Sequence, residues 1–164
     1  MSKLKKTNAM RLLDQAKIEY KGPKGLKVTK YEVDEENLAG EHVADQIHMP
    51  VEQVFKTLVA RGEKKGILIF CIPVNTELNL KKAAAIVGDK KVELIHVKEL
   101  LPLTGYIRGG CSPIGMKKKY PTYIDESAIS FDKISVSAGI RGCQIVCNPK
   151  ELLSYIEAKE CSLT

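Results

Sequence analysis

The amino-acid sequence predicts an α+β fold in which helices surround a mixed β-barrel or sheet. Short stretches rich in β-branched and aromatic residues recur along the chain and are typical of strands. Other stretches begin with helix-capping residues and are typical of helices. Because strands and helices do not alternate strictly, a mixed sheet is favoured over a doubly wound parallel fold. The length of 164 residues suits one domain, and we expect residues 1–164 to form it.

Three of the predicted helices follow a side chain that can cap a helix N-terminus: Thr7, Asn79 and Asn148. Met10 and Leu13 give the first helix an apolar stripe. Gly88 is suited to end the second helix, because glycine readily adopts the left-handed conformation common at that position. Pro149 is favourable in the first turn of the last helix. Two shorter helices are predicted at residues 42–47 and 98–101.

Seven segments have the composition of strands, and two pairs of them are separated by glycine-containing turns. Residues 62–66 form the first predicted turn and residues 139–142 the second, so each pair is expected to form a hairpin. The predicted strands are residues 26–33, 54–59, 67–72, 92–95, 122–124, 133–137 and 143–146.

Lys56 places an ammonium group inside the apolar strand predicted at residues 54–59. Alternate side chains of a strand point to opposite faces, so Lys56 shares its face with Val54 and Leu58. Burial without a partner is costly for an ammonium group, so this side chain either extends to an edge or faces an anion. A lysine that protects an edge strand from aggregation fits the same pattern, and both interpretations remain open at this point.

Residues 104–121 combine glycines and prolines with three lysines, which predicts a long exposed loop. Within it, Gly109 to Pro113 can present consecutive backbone N–H groups to an oxygen atom, because glycine has no side chain to block the approach. The same string also suits a simple turn. Cys111 is a candidate thiol nucleophile, but the sequence places no histidine or helix N-terminus beside it, so a structural role is favoured.

The composition limits the classes of partner that we expect the protein to bind. A net charge of +6 is compatible with a phosphate-rich partner such as nucleic acid. Tryptophan is absent and aromatic residues make up only 5%, so we expect contacts to a nucleic-acid backbone or to one end rather than to a row of bases. The longest apolar run, residues 67–74, is too short to span a bilayer, so no membrane partner is expected.

The chain contains five cysteines, an odd number at irregular spacings. This pattern argues for a reducing compartment, so we expect a cytoplasmic protein. Cys143 and Cys147 would lie about 13 Å apart on one face of a strand, too far for a shared metal, and are interpreted as core residues. His42 and His48 lack further ligands at a suitable spacing. We therefore expect no metal and no cofactor.

A series of short segments runs in a distinctive order between Tyr31 and Ile145. The segments are Lys30-Tyr31-Glu32, Val54-Phe55-Lys56-Thr57-Leu58, Leu80-Lys81-Lys82, Thr104-Gly105-Tyr106, Gly109-Gly110-Cys111-Ser112-Pro113-Ile114-Gly115, Lys117-Lys118-Lys119, Pro121-Thr122, Ile124-Asp125, Val136-Ser137-Ala138-Gly139 and Arg141-Gly142. In this order they resemble the YbaK/EbsC family of aminoacyl-tRNA editing domains. The resemblance is greatest to free-standing YbaK-type Cys-tRNA(Pro) deacylases, because no synthetase core accompanies the segments.

The resemblance implies hydrolysis of the ester that joins cysteine to the 3′ end of mischarged tRNA(Pro), with Cys-tRNA(Cys) as a further substrate. It implies aminoacylated tRNA and prolyl-tRNA synthetase as partners, and no metal. The implied catalytic residues are Lys56, Gly109 and Gly110. The implied substrate-binding residues are Tyr31, Thr57, Cys111, Ser112, Pro113, Ser137, Arg141 and Gln144.

Gln144 departs from the family pattern, which commonly has an aspartate after the Arg-Gly pair. This departure keeps the preferred amino acid open, and an Ala-tRNA(Pro) deacylase is one alternative. A catalytically weak module that binds tRNA or a synthetase is the other, although the presence of Lys56 beside Thr57 disfavours it. The resemblance suggests that the cysteine thiol of the substrate attacks its own ester, so that the protein contributes mainly positioning. A water molecule held by the loop is the competing nucleophile.

Overall fold

A computed structural model of the protein describes residues 6–21, 29–30, 44 and 47–164. Tyr31, most of the strand predicted at residues 26–33 and most of the helix predicted at 42–47 lie outside the described residues. The α-helices of the described residues are α1 (Asn8–Gln15), α2 (Leu80–Val87), α3 (Val97–Thr104) and α4 (Pro149–Tyr155). None in this part of the chain is long and apolar enough to cross a membrane.

Side-chain caps begin three of the helices, as predicted. Asn79 Oδ1 accepts a hydrogen bond from the amide of Lys82 at 3.1 Å. The caps at Thr7 and Asn148 accept amide N–H groups in the same way. Gly88 ends α2 with φ at 76°, the left-handed conformation expected of a glycine there. These ends are correctly predicted because a cap depends on only a few neighbouring residues.

Helix α3 is longer than the segment predicted at residues 98–101, and it continues through Pro102. Glu99 stabilises its start by accepting a hydrogen bond from the His96 amide at 3.1 Å and another from Arg61 at 2.9 Å. The Thr104 hydroxyl donates to the Leu100 carbonyl at 2.7 Å in the last turn. These bonds favour the helix although proline lacks the N–H group that a helix interior normally uses.

The strands of the described residues are β1 (Tyr20–Lys21), β2 (Thr29–Lys30), β3 (Phe55–Gly62), β4 (Gly66–Pro73), β5 (Val92–Leu94), β6 (Thr122–Asp125), β7 (Ile134–Ser137), β8 (Cys143–Cys147) and β9 (Lys159–Cys161). Strands β3 and β4 form the first predicted hairpin, and β7 and β8 form the second. Strand β9 was not predicted. It is short and exposed, and its parallel pairing with β6 is a contact that local composition does not reveal.

The larger sheet has the strand order β5-β3-β4-β6-β9. Strands β5, β3 and β4 pair antiparallel, whereas β4 with β6 and β6 with β9 pair parallel, so the sheet is mixed as predicted. In the second sheet, β8 lies between β7 on one side and both β1 and β2 on the other. A parallel bridge between Val54 and Ser135 connects the two sheets. The described strands form open sheets without a closed barrel, so the α+β class is confirmed and the barrel alternative is not.

The main core lies where the two sheets and α1 meet. Its buried side chains include Met10, Leu13, Phe55, Ile69 and Ile145. Cys143 and Cys147 belong to this core, as predicted. A smaller core joins the other face of the larger sheet to α2. The alternation along β3 therefore matches the prediction, because Phe55 and Val59 face the main core while Leu58 packs against the smaller one.

Asp125 connects three segments at the end of β6. Its side chain is buried and accepts hydrogen bonds from the Leu163 amide at 3.0 Å, the Ser127 amide at 3.2 Å and the Ser127 hydroxyl at 2.7 Å. Leu163 is itself completely buried, and its carbonyl accepts the Asn79 amide at 2.8 Å. One carboxylate therefore holds the C-terminal segment, the start of α2 and a short 3-10 helix at residues 126–130 together.

We expect Asp125→Ala to lower the free energy of unfolding by about 2 kcal/mol or more, because buried donors lose their acceptor. Urea unfolding followed by circular dichroism measures this change. Asp125→Asn keeps one acceptor oxygen and should cost less. Asp132→Ala, at an exposed site, is the matched control and should stay within about 0.5 kcal/mol of the wild type. An Asp125→Ala variant as stable as this control would contradict the stabilising role assigned to the Asp125 carboxylate.

Candidate functional site

A cleft of about 560 Å³ opens where the two sheets meet. Its walls come from the first half of β3, the segment from Leu94 to Leu100, the loop at residues 108–111 and the facing ends of β7 and β8. The predicted site residues that line it are Lys56, Thr57, Gly109, Cys111, Ser137 and Gln144. Segments separated by more than 80 residues in the sequence therefore converge on one cavity.

Incomplete pairing of β3 creates the cleft. Strand β4 pairs with β3 along its whole length, whereas β5 pairs only with Ala60 to Gly62. Among the strands that the structure describes, none pairs with the edge of residues 55–58, although the bridge at Val54 positions the second sheet nearby. An open strand edge presents backbone N–H and C=O groups, and residues 55–58 all line the cleft.

Lys56 lies at this open edge. Its side chain is half-buried. Across the β3–β4 hairpin, Lys56 pairs with Ile72, which is completely buried. The neighbouring Phe55 anchors the strand in the main core. Lys56 therefore presents a charge at the cleft from a strand whose backbone is fixed by β4.

Two thiols lie close to this edge, and burial makes both weak nucleophiles. Cys71 pairs with Thr57 across the β3–β4 hairpin, and its sulfur lies 3.8 Å from the Thr57 hydroxyl. Burial raises the pKa of Cys71 to about 12. Burial also raises the pKa of Cys111 to about 12, with a further increase from the nearby Cys71. Because the thiolate is the reactive form, Cys111 lacks the environment of a catalytic cysteine.

The loop at residues 108–111 is fixed against the β7–β8 hairpin. Arg141 Nε donates a hydrogen bond to the Arg108 carbonyl at 2.7 Å. A Cβ atom on Gly110 would lie 3.0 Å from both the Arg141 nitrogen and the Ile140 carbonyl carbon, so only glycine fits without movement of the backbone. Gly109 turns the loop with φ at 86°. Gly110 and Arg141 therefore hold the cleft wall in place without lining it.

The predicted series of free amides is only partly present. The Gly110 amide donates to the Ile107 carbonyl at 2.9 Å, so it is already used. In the part of the chain that the structure describes, no acceptor is bonded to the amides of Gly109 and Cys111. Ser112 and Pro113 are buried and do not line the cleft, and the Ser112 hydroxyl accepts the Ile114 amide at 3.2 Å. Gly109 and Cys111 both line the cleft, so two amides of this loop remain available to an acceptor.

Ser137 and Gln144 form a cross-strand pair on the floor of the cleft. Gln144 is only 6% exposed, and its Oε1 accepts a hydrogen bond from the Ser135 hydroxyl at 2.9 Å. The Ser137 hydroxyl accepts the Gly139 amide at 3.2 Å. Both polar side chains are thus oriented by bonds within the hairpin, and they leave the floor polar but uncharged.

The charged residues that line the cleft, among those the structure describes, are Lys56 and Arg108. Both are cations, so the cavity favours an anionic ligand. An apolar wall formed by Leu94, Val97 and Leu100 stands beside them, and Val97 remains 62% exposed. Arg108 and this wall were not predicted. The position of Arg108 next to Gly109 was an available signal for the first, whereas the wall depends on tertiary contacts.

The cleft can bind and polarise a ligand, but its described lining residues include no histidine or carboxylate to act as a general base. No group of histidine, cysteine or acidic side chains with the geometry of a metal site occurs among the residues described. Cationic groups, loop amides and an apolar wall suit a ligand that combines an anion, a carbonyl group and an apolar part.

Comparison with known proteins identifies similar chains. The aminoacyl-tRNA editing domain family matches residues 35–155. EbsC of Enterococcus faecalis, named as a candidate Cys-tRNA(Pro)/Cys-tRNA(Cys) deacylase, is 47% identical over 161 residues, which cover 97% of this chain and 93% of EbsC. A proline–tRNA ligase of Thermosipho africanus is 31% identical over 78 residues, 48% of this chain and 14% of the ligase.

One solved structure with a similar fold is a crystal structure of a candidate trans-editing enzyme for prolyl-tRNA synthetase. It superposes with a TM-score of 0.75 at 28% sequence identity. The match covers 84% of this chain and 85% of that one.

We expect Cys111 to be alkylated by iodoacetamide at pH 7 at least about ten times more slowly than free cysteine, because a raised pKa lowers the thiolate fraction. The rate should still be rising above pH 9. Mass spectrometry of the labelled peptide gives the rate for this residue, and Cys111→Ser controls for the peptide assignment. Labelling as fast as that of free cysteine would show that Cys111 is activated.

Proposed function

The chain belongs to the aminoacyl-tRNA editing domain family, as its sequence segments predicted, and on that premise we propose that it is an aminoacyl-tRNA deacylase. Its proposed substrates are Cys-tRNA(Pro) and Cys-tRNA(Cys), in which an ester joins cysteine to the 3′-terminal adenosine. Similarity to EbsC over nearly the full length of both chains supports this choice. The family match to residues 35–155 supports residues 1–164 as one editing domain.

The observation that carries the proposal is the pairing of cationic groups with an apolar wall in one cleft. The 3′ end of an aminoacyl-tRNA combines phosphates, a nucleobase and an ester carbonyl. The wall at Leu94, Val97 and Leu100 offers apolar contact to the base and ribose. Lys56 and Arg108 complement the negative charge. The cleft therefore contains a matching group for each part of this ligand.

Ester cleavage develops negative charge on the carbonyl oxygen. Donors that are already oriented toward that charge can lower the barrier by several kcal/mol. We assign this role to Lys56 and to the amides of Gly109 and Cys111, three residues that line the same cleft. The loop amides are held by the β7–β8 hairpin, so little reorganisation is needed when the charge forms.

The nucleophile in this proposal is the thiol of the substrate. Thr57, Ser137 and Cys111 are the hydroxyl and thiol groups that line the cleft, and no general base stands beside them among the lining residues described. The thiol loses its proton to solvent, and its sulfur then forms a bond to the ester carbonyl carbon. The ester C–O bond breaks, and the departing 3′ oxygen takes up a proton from water. The resulting cyclic thioester opens by hydrolysis.

Thr57 and Gln144 are proposed to contact the aminoacyl group. Gln144 is neutral, so it can contribute hydrogen bonds but no charge to the recognition of the substrate amino group. Ser112, Pro113 and Arg141 act by holding the loop and hairpin. The role implied for Tyr31 stays a prediction, since this residue lies outside the described residues.

Prolyl-tRNA synthetase is the proposed partner, because it produces the mischarged tRNA(Pro) that the reaction removes. The stretch shared with a proline–tRNA ligase and the fold shared with a candidate trans-editing enzyme support this partner. Aminoacyl-tRNA is used in translation, so we propose the cytoplasm as the location of the reaction.

We expect Lys56→Ala to reduce kcat/KM for Cys-tRNA(Pro) deacylation by at least about 100-fold, because one charge is removed from the site of the oxyanion. The rate is measured as loss of radiolabelled aminoacyl-tRNA, corrected for spontaneous hydrolysis. Lys56→Met fills the same strand position without charge and should lose as much activity. Lys150→Ala, on the exposed face of α4, is the matched control and should keep full activity.

Thermal unfolding separates loss of chemistry from loss of fold, and we expect Lys56→Met to unfold within a few degrees of the wild type. A Lys56 variant that cleaves Cys-tRNA(Pro) at the wild-type rate would disprove the catalytic assignment.

A further inference from the structure

Arg108 is a charged residue at the cleft, and in the proposed reaction it only complements the negative charge of the substrate. It is exposed, lines the cleft and immediately precedes the loop amides proposed to bind the oxyanion. We propose that Arg108 binds the phosphodiester adjacent to the terminal adenosine of the aminoacyl-tRNA and thereby sets the register of the 3′ end. The proposal rests on the proposed function and names the part of the substrate that this residue recognises.

The charge of Arg108 is available to a ligand. In the part of the chain that the structure describes, no carboxylate pairs with its guanidinium group. Arg61, by contrast, is paired with Glu99 at 2.9 Å. The described residues that line the cleft contain no acidic side chain, so nothing there neutralises Arg108. A planar guanidinium group can donate two parallel hydrogen bonds to a phosphate, which makes arginine well suited to this ligand.

The backbone of Arg108 is fixed before any ligand binds. Its carbonyl accepts a hydrogen bond from Arg141 Nε at 2.7 Å. Two residues further on, the backbone of Gly110 packs directly against that of Ile140 and Arg141. The turn at Gly109 lies between these two contacts. A cationic side chain on an anchored backbone has less conformational freedom to lose on binding than one on a mobile loop.

Lys56 and Arg108 differ in burial, and this difference matches the positions of the ester and the phosphodiester in the substrate. Lys56 is half-buried at the strand edge, whereas Arg108 is exposed. In aminoacyl-tRNA the reacting ester and the nearest phosphodiester are separated by the terminal ribose. When the ester lies at Lys56, the phosphodiester extends from it toward solvent. The exposed Arg108 therefore suits the phosphate, and the half-buried Lys56 suits the reacting carbonyl.

The test compares two substrates that differ in this phosphate. Cys-tRNA(Pro) contains the phosphodiester, and 3′-O-cysteinyl-adenosine lacks it. We expect Arg108→Gln to raise KM for Cys-tRNA(Pro) by about 10-fold or more with kcat changed less than about threefold, because a phosphate contact adds binding without acting on the ester. The same variant should cleave cysteinyl-adenosine at the wild-type rate. Arg11→Gln, an exposed arginine on α1 that does not line the cleft, is the control and should alter neither substrate.

Salt dependence provides a second readout that a purely structural role would not change. The plot of log kcat/KM for Cys-tRNA(Pro) against log salt concentration should become shallower by about one unit in Arg108→Gln, because one phosphate contact is lost. Arg108→Lys keeps the charge and should retain most of the slope.

Equal losses of activity on both substrates would overturn the proposal, because Arg108 would then act on the ester or on the loop. Unchanged kinetics on Cys-tRNA(Pro) would also overturn it. If the wild type cleaves neither cysteine ester, the proposed function itself fails, and that result is distinct from a defect confined to the variant.

Discussion

The cleft depends on the open edge at the start of β3, with which none of the other described strands pairs. Strand β4 covers one side of β3 completely, but β5 covers only its last three residues on the other side. The bridge between Val54 and Ser135 brings the second sheet to the beginning of the same edge without extending along it. A cavity therefore remains at the junction of the sheets. Lys56 lies on this open part of the strand and lines the cavity.

The electrostatics of the cleft favour binding and positioning over a nucleophile supplied by the protein. Burial raises the pKa values of Cys71 and Cys111 to about 12, so both thiols remain protonated at neutral pH. Lys56 and Arg108 carry charge in the same cavity. The loop between Arg108 and Cys111 is anchored on the β7–β8 hairpin. A cysteine ester brings its own nucleophile, so an enzyme for it needs mainly orientation and charge stabilisation.

The features that the sequence predicts correctly are those determined by a few adjacent residues. The cap at Asn79 and the hairpin turns at residues 62–66 and 139–142 are of this kind. The predictions fail where contacts between residues far apart in the sequence determine the structure. Examples are the pairing of β9 with β6 and the extension of α3 through Pro102. Among the predicted site residues, those on β3, β7 and β8 do line the cleft, whereas Gly110 and Arg141 support its wall. Arg108 was missed although it directly precedes Gly109, and the apolar wall was missed because it depends on tertiary contacts.

The central claim is that this cleft cleaves cysteine esters of tRNA by using the thiol of the substrate. The most direct measurement is single-turnover deacylation of Cys-tRNA(Pro), Ser-tRNA(Pro) and Ala-tRNA(Pro) by the wild-type protein at saturating concentration, which reports chemistry apart from affinity. A free thiol has a pKa of about 8.5 and is partly ionised near neutral pH, unlike a hydroxyl group. We predict that the cysteine ester is cleaved at least about 100 times faster than the other two. Cleavage of the serine or alanine ester as fast as that of the cysteine ester would contradict the claim, because the nucleophile would then be independent of the side chain.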